Sequence, residues 1–211
     1  MDGPAASGKS TTARRVADLL GFSFLNTGSM YRASALAVTR AGLSLEKGTA
    51  AAELLTSHTF GFTPENGILL DGADVTDLIS TAEMGEAASI LSAQREVRVF
   101  LVRLQRLFAQ GRDTVAEGRD MGTVVFPDAF MKVYVVADAP VRARRRLRDL
   151  GGGDMNEMIR QVLRRDRRDR FRADSPLRVA PGAYWLDGTH MSLAQQVDSV
   201  VAEYRRLVRD P

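Results

Sequence analysis

The segment GPAASGKS, Gly3 to Ser10, decides how the rest of the sequence is interpreted. It matches the phosphate-loop pattern G-x-x-x-x-G-K-[ST], in which glycines let backbone N–H groups converge on phosphate oxygens at a helix N-terminus. In this pattern the lysine reaches the β- and γ-phosphates and the serine hydroxyl ligates Mg²⁺. Apolar residues at helical spacing over 13–20 place a helix directly after the loop. The residues predicted to bind a nucleoside triphosphate are Gly3, Pro4, Ala5, Ala6, Ser7, Gly8, Lys9, Ser10 and Thr11, with Ser10 also predicted to bind Mg²⁺.

The position of this loop in the chain is unusual. A buried strand normally precedes a phosphate loop, but only Met1 and Asp2 stand before this one. An empty central strand position would forfeit about 1.5–3 kcal/mol for each side chain left unburied. The stability of a typical domain is only about 5–15 kcal/mol. We therefore expect the native chain to extend upstream, with Met1 an internal methionine or a late start.

The remaining pattern predicts an α/β fold with a parallel central sheet covered by helices on both faces. Short apolar runs predict strands at 22–25, 113–118, 132–137 and 183–187, with Trp185 in the core. Helical periodicity is found over 30–41, 46–57, 82–110 (with a break near 92–94), 140–150, 155–170 and 192–209. Residues 58–76 alternate and carry Asn66-Gly67 and Asp71-Gly72, which predict a small inserted antiparallel patch.

Composition narrows the class of protein. The chain has no cysteine, which excludes disulfides and thiolate metal sites, and its two histidines, His58 and His190, receive no role. No leader or long apolar span is visible, so a cytoplasmic protein is expected. Residues 142–172 contain twelve arginines and five acids, a net charge of +7. By itself this stretch fits equally well a solvated helix surface and a phosphate or nucleic-acid site.

The class of nucleotide-binding protein follows from what accompanies the loop. The N-K-x-D segment that GTPases use to read the base is absent, and VAEGRD (115–120) lacks the paired acids of large ATPases. A short chain with an inserted lobe and an arginine-rich segment after Gly151–Gly153 suits a small-molecule kinase. Phosphoryl transfer depends mainly on positioning and charge neutralisation.

Several segments together resemble the bacterial cytidylate kinase family of P-loop nucleoside monophosphate kinases. They are DGPAASGKST (2–11), NTGSMYRA (26–33), LLDGADVT (69–76), AAS (87–89), VR (97–98), GRDMGTVVFPDA (118–129), VRARRR (141–146) and RRDRRDRFRADSPL (164–177). The resemblance implies one three-layer kinase domain over 1–211, with an NMP-binding lobe at about 55–80 and a lid at about 151–178. It implies transfer of the γ-phosphate of ATP to CMP or dCMP with Mg²⁺. Apart from the resemblance, we expect a monomer without nucleic-acid or membrane partners.

The resemblance also implies roles for individual residues. The CMP phosphate would be gripped by Arg32 and Arg119, and the cytosine edge read by Ser89, Arg98 and Asp120. Asp169 and Arg172 would face the acceptor's ribose and phosphate. Lys9, Arg145 and Arg165 would be catalytic, the two arginines folding over the transferring phosphoryl group.

These roles agree with the chemistry of cytosine. A carboxylate accepts from its amino group, while guanidinium and hydroxyl groups donate to N3 and O2. Uracil presents a carbonyl where cytosine has the amino group, so CMP should be preferred to UMP. Two departures from the family are Asn26, where aspartate is usual, and Ser80, where arginine is common. The open alternatives are a kinase with another acceptor, a nucleic-acid-binding protein using the 142–172 arginines, and a copy that is inactive as written.

Overall fold

A computed structural model describes residues 1–210. Its internal contacts divide the chain into two compact units. The first comprises Met1–Leu25 together with the chain from Ala109 onward, and the second is Asn26–Phe108. The second unit is thus inserted into the first, between its first strand and its later ones.

The secondary structure alternates as the sequence predicts. The helices are α1 Lys9–Leu20, α2 Thr27–Arg40, α3 Gly48–Leu55, α4 Ala82–Leu91, α5 Arg95–Ala109, α6 Ala139–Asp149, α7 Met155–Phe171 and α8 Leu193–Arg209. The strands are β1 Ser23–Asn26, β2 Phe60–Phe62, β3 Ile68–Leu70, β4 Ala73–Asp74, β5 Thr114–Glu117, β6 Val133–Val136 and β7 Tyr184–Asp187. A π-helical turn over Met121–Val125 was not predicted. No helix within residues 1–210 combines the length and apolar character needed to cross a membrane.

The first two residues lie between β5 and β6. The Asp2 N–H donates to the Val133 carbonyl at 2.8 Å, and the Val135 N–H donates to the Asp2 carbonyl at 2.8 Å. On the other side, the Gly118 N–H donates to the Met1 carbonyl at 2.9 Å. Both bridges of Asp2 are parallel, and β6 pairs with β7 in parallel. The predicted parallel α/β arrangement is therefore confirmed, and the phosphate loop starts from the middle of these strands.

One face of β6 and β7 forms the main core of the first unit. Val133, Val135 and Leu186 pack against valines of α1 and α8. Alternation along a strand sends every second side chain to the opposite face. Trp185 is on that opposite face, where its ring packs at a tilt of 34° against Tyr134 with ring centroids 5.2 Å apart, and it stays 56% exposed. The prediction that Trp185 belongs to the core was therefore wrong.

The second unit contains the predicted antiparallel patch. β2, β3 and β4 form a three-stranded antiparallel sheet, and Asn66 and Asp71 adopt positive φ angles of 65° and 51° in the turns. The predicted break in the long helical segment separates α4 from α5. On α5, Val97 and Leu101 are fully buried. The hairpin prediction is therefore confirmed. The physical reason is that Asn-Gly and Asp-Gly tolerate the left-handed angles that these turns require.

Helix α7 packs against α6 in the first unit through Ala143, Met158 and Val162. The chain between the two helices runs through Gly151, Gly152 and Gly153, which all have positive φ. The Asp154 side chain accepts a hydrogen bond from the Glu157 N–H at 2.7 Å and so caps the start of α7. This pairing places the arginine-rich helix α7 beside the helix that follows β6.

Candidate active site

The phosphate loop of the first unit ends where α1 begins at Lys9. Three of its residues have positive φ: Gly3 at 153°, Ala6 at 58° and Gly8 at 96°. A Cβ on Gly3 would lie 2.1 Å from the carbonyl oxygen of Val135, so only glycine fits there. Backbone of this kind turns successive N–H groups toward one point and makes an anion-binding concavity at the helix N-terminus.

Lys9 is buried at this concavity. Its ammonium donates to the Pro4 carbonyl at 3.5 Å and lies 3.5 Å from Oε2 of Glu117. Burial lowers the pKa of Lys9 to about 8; the positive charge of Arg119 adds to this and the negative charge of Glu117 opposes it. Burial disfavours the charged form of the Lys9 ammonium. Additional negative charge beside it, such as that of a polyphosphate, would stabilise the charged form.

Glu117 also contacts the first turn of α1. The hydroxyl of Ser10 donates to Oε1 of Glu117 at 2.8 Å, so one carboxylate bridges the two phosphate-loop side chains that the motif singles out. Glu117 is the last residue of β5, and β5 packs beside α1. The carboxylate is thus held by secondary structure at the edge of the loop.

Directly after Glu117, two ion pairs fix the Gly118–Asp120 segment. Nε of Arg119 donates to Oδ2 of Asp169 on α7 at 2.7 Å. Nη2 of Arg172 lies 3.3 Å from Oδ1 of Asp120. Burial alone would raise the pKa of Asp169, but the charges of Arg119, Arg165 and Arg172 hold it below its ordinary value. These groups form a buried cluster of alternating charge.

The turn after Asp120 is supported by Asp2. Its carboxylate accepts hydrogen bonds from the Met121 N–H at 2.7 Å and the Gly122 N–H at 2.8 Å. Asp2 is 4% exposed, and it immediately precedes Gly3 of the loop. A single buried carboxylate therefore ties the start of the phosphate loop to the segment that carries Arg119 and Asp120.

The predicted catalytic arginines lie on α6 and α7. Arg145 donates to the carbonyls of Ser7, at 3.0 Å, and Gly188, at 2.7 Å. The charge of Arg165 adds to burial in lowering the pKa of Lys9 and lowers the pKa of Asp169 as well. Arg145 therefore contacts the phosphate loop, and Arg165 acts electrostatically on the residues beside it.

The second unit carries the other predicted acceptor residues. Arg32 donates to the carbonyls of Ile79 at 2.7 Å and Thr81 at 3.3 Å. Arg98, 2% exposed, donates to the Tyr31 hydroxyl at 3.1 Å. Ser89 is 3% exposed, and its hydroxyl has no hydrogen-bond partner within residues 1–210. A buried hydroxyl of this kind is ready to bond to a ligand.

Comparison with known proteins gives the chain a family. It matches the cytidylate kinase family over residues 1–206. The chain belongs to the cytidylate kinase family. A cytidylate kinase of Limosilactobacillus fermentum is 39% identical over 216 residues, covering 99% of this chain and 96% of that protein. One of Paraburkholderia phymatum is 42% identical over 212 residues (99% and 92%), and cytidylate kinase 1 of Haemophilus influenzae is 39% identical over 213 residues (98% and 92%).

In this member of the family, the structure brings together the predicted residues of the first unit. Arg119, Asp120, Asp169 and Arg172 form two ion pairs with each other, and Arg165 lies near enough to influence Asp169. Arg32, Ser89 and Arg98 belong to the second unit, where each is anchored on α2, α4 or α5. Their assignment to the acceptor stays a prediction.

The two departures from the cytidylate kinase pattern have local explanations. Oδ1 of Asn26 accepts a hydrogen bond from the Ser29 N–H at 3.0 Å and caps α2, which starts at Thr27 rather than near the predicted residue 30. The hydroxyl of Ser80 donates to the Asp77 carbonyl at 2.8 Å on the exposed surface. Asparagine keeps the capping function that aspartate would have, without its negative charge.

Sequence reasoning missed Glu117. The stretch VAEGRD lacks the paired acids of large ATPases, since only one acid directly follows its apolar run. The informative signal was simpler: one acid stands at the carboxyl end of a predicted buried strand. Side chains at such strand ends project toward the ligand-binding edge of an α/β sheet.

Proposed function

We propose that this protein transfers the γ-phosphate of ATP to CMP or dCMP, giving ADP and CDP or dCDP. The observation that carries the proposal is the contact between Lys9 and Glu117 at a phosphate loop. Arg119 and Asp120, which follow Glu117 closely in the chain, each form an ion pair, with Asp169 and Arg172 respectively. The proposal is also supported by the match of residues 1–206 to the cytidylate kinase family.

The phosphate loop is proposed to hold ATP. Converging N–H groups of residues 3–11 would bind the phosphate oxygens, and Lys9 would neutralise charge on the β- and γ-phosphates. The low pKa of Lys9, about 8, belongs to the protein without a phosphate beside it. A bound polyanion would favour the charged ammonium, so donor binding and protonation of Lys9 reinforce each other.

Mg²⁺ is proposed to accompany ATP, held by Ser10 and Glu117. Mg²⁺ prefers oxygen ligands. The Ser10 hydroxyl oxygen and Oε1 of Glu117 are 2.8 Å apart, so these two oxygens would together hold the ion. When bound, the ion neutralises charge on the transferring phosphate.

On the acceptor side, Arg32 and Arg119 are proposed to bind the CMP phosphate. Ser89, Arg98 and Asp120 are proposed to read cytosine, and Asp169 and Arg172 to face the ribose and phosphate. Asp120 and Asp169 already form ion pairs with arginines in this structure. The arginine charges hold the pKa of Asp169 below its ordinary value, so this carboxylate is available as a hydrogen-bond acceptor. The hydroxyl of Ser89 has no hydrogen-bond partner among residues 1–210, which supports its role because a nucleotide would supply that hydrogen bond.

The reaction is proposed to need no general base. The nucleophile is a phosphate oxygen of CMP that is already ionised near neutral pH, so the barrier to overcome is repulsion between two anions. Lys9, Arg145 and Arg165 are proposed to lower that barrier by neutralising charge. The lobe at about 55–80 and the lid at about 151–178 are proposed as the parts that enclose the substrates and exclude water, in a protein that acts as a monomer.

Turnover with a panel of acceptors tests the function. We expect phosphate transfer from ATP to CMP and dCMP, with a kcat/KM at least 100-fold lower for UMP, AMP and GMP. Lys9→Met should abolish activity. The exposed substitution Lys47→Met serves as the matched control. A preference for AMP or GMP would overturn the acceptor assignment, and full activity of folded Lys9→Met would overturn the role of the loop.

A further inference from the structure

Arg142, on the first turn of α6, is a buried cation to which the proposed function gives no role. It is 5% exposed. Its Nε donates to the carbonyl of Ala137 at 2.8 Å, just beyond the end of β6, and its Nη1 donates to the carbonyl of Ala5 at 3.1 Å. Ala5 lies inside the phosphate loop, so Arg142 is hydrogen-bonded to the backbone of the loop.

The same guanidinium binds helix α7. Nη1 and Nη2 of Arg142 donate to the two carboxylate oxygens of Asp166 at 3.0 and 2.6 Å, a bidentate pair. Asp166 is 7% exposed. A planar guanidinium can satisfy a carboxylate and two carbonyls at once, which an ammonium cannot do with the same geometry. One side chain therefore joins the phosphate loop, the end of β6 and α7.

The contact with Ala5 fixes the direction of a neighbouring N–H group. In a trans peptide the C=O and the following N–H point in opposite directions. With the Ala5 carbonyl turned toward Arg142, the Ala6 N–H must point away from it, toward the opposite side of the loop. Ala6 holds this orientation at φ 58°, a left-handed angle that is strained for a residue with a Cβ. The Arg142 hydrogen bond offsets part of that strain.

Arg145, one helical turn later, makes the equivalent contact with a second peptide. Its Nη1 donates to the Ser7 carbonyl at 3.0 Å, which turns the Gly8 N–H the other way. Two arginines three residues apart on α6 therefore hold two carbonyls of the loop. Only Arg142 also binds a carboxylate of α7.

We propose that Arg142 is a positioning residue for donor binding: it orients the Ala5–Ala6 peptide for phosphate and, through Asp166, makes ATP affinity depend on the placement of α7. The inference rests on the proposed binding of ATP at the loop and is independent of the acceptor. Asp169 on the same helix pairs with Arg119. Helix α7 is therefore linked to the phosphate loop through Arg142 and contacts the segment after β5 directly.

The test measures the Kd of Mg-ATP without acceptor, and the Kd of CMP separately, by calorimetry. The main variant is Arg142→Met combined with Asp166→Leu, because replacing both partners of a buried ion pair by apolar residues is often neutral for stability. We expect its Kd for ATP to rise about 10-fold, with the Kd of CMP within about twofold. Arg142→Lys and Asp166→Asn should each raise the Kd of ATP about threefold.

The matched control is Glu157→Gln, which removes an exposed carboxylate on α7 that pairs with Arg160 and Arg164. It should leave both Kd values unchanged. An ATP Kd within twofold of the wild type in the double variant overturns the proposal, as does an equal weakening of ATP and CMP binding. Should the double variant fail to fold, the two single variants decide by the same criteria. Wild-type protein that binds ATP but does not phosphorylate CMP would refute the proposed function alone.

Discussion

The hydroxyl of Ser10 and the carboxylate of Glu117 are joined by a 2.8 Å hydrogen bond across 107 positions of the chain. The bond connects the first turn of α1 with the last residue of β5, and the same carboxylate reaches to 3.5 Å from the Lys9 ammonium. Both halves of the proposed Mg²⁺ site are therefore prearranged by the packing of a helix beside a strand.

Glu117→Gln should weaken the Mg²⁺ dependence of the reaction. The amide keeps the hydrogen bond to Ser10 but loses the charge that binds a hard cation. We expect the Mg²⁺ concentration for half-maximal activity to rise about 10- to 100-fold, measured by titrating the rate with Mg²⁺ at fixed ATP. Glu203→Gln, at a partly exposed carboxylate of α8 that pairs with Arg206, is the control. An unchanged titration in Glu117→Gln would remove this residue from the metal site.

ATP affinity should fall as pH rises through the pKa of Lys9, about 8. ATP binds more tightly when the Lys9 ammonium is protonated, so above pH 8 binding is coupled to the uptake of a proton by Lys9. With that pKa only about a tenth of Lys9 is charged at pH 9, so Kd should rise up to about 10-fold between pH 7 and pH 9. Calorimetry in buffers of different ionisation enthalpy detects the uptake directly. Affinity that stays flat over this range would contradict the lowered pKa.

Asp169→Asn should destabilise the protein by about 3 kcal/mol at pH 7, because it leaves the Arg119 guanidinium without its buried carboxylate. The pKa of Asp169 is held below its unfolded value, so its contribution to stability is full above about pH 4 and is lost as pH falls through the lowered pKa. Urea unfolding at pH 7 and pH 3 should therefore show the difference between wild type and variant shrinking in acid. Glu157→Gln, at an exposed pair, should change stability by less than about 0.5 kcal/mol.

Gly3→Ala should be far more damaging than Gly21→Ala. Both glycines have positive φ, 153° and 68°, but a Cβ on Gly3 would meet the Val135 carbonyl at 2.1 Å, whereas Gly21 faces open space. We expect about 1 kcal/mol of destabilisation at Gly21 and about 3 kcal/mol or more at Gly3. Thermal unfolding compares them, and equal losses would show that the close approach to β6 is not limiting.

Local signals in the sequence predicted most elements well. The phosphate loop and the turns at Asn66 and Asp71 were predictable because each depends on residues next to one another. The placement of Trp185 failed for the opposite reason. Its run AYWLD identifies a strand, but only the sheet shows which of its two faces is covered.

The candidate site was predictable in part. Lys9 and Ser10 follow from their spacing, and the residues at 119, 120, 169 and 172 from the family resemblance. Glu117 and Arg142 were not singled out, because one acid at the end of a strand and one arginine among twelve have no distinctive local pattern. The π-helical turn at Met121–Val125 was missed because what supports it, the carboxylate of Asp2, lies 119 positions away from Met121.

The sequence alone determined the phosphate loop, the alternation of helices and strands, and the surplus of positive charge, because these depend on neighbours within a few residues. The tertiary structure decided which charges meet. Arg119 pairs with Asp169, 50 positions away, and Arg142 pairs with Asp166, 24 positions away. Both aspartates lie on α7, and the sequence does not show which arginine each of them meets. A charge close in space dominates over one close in sequence, because Coulomb attraction depends on distance through the fold and strengthens where water is excluded.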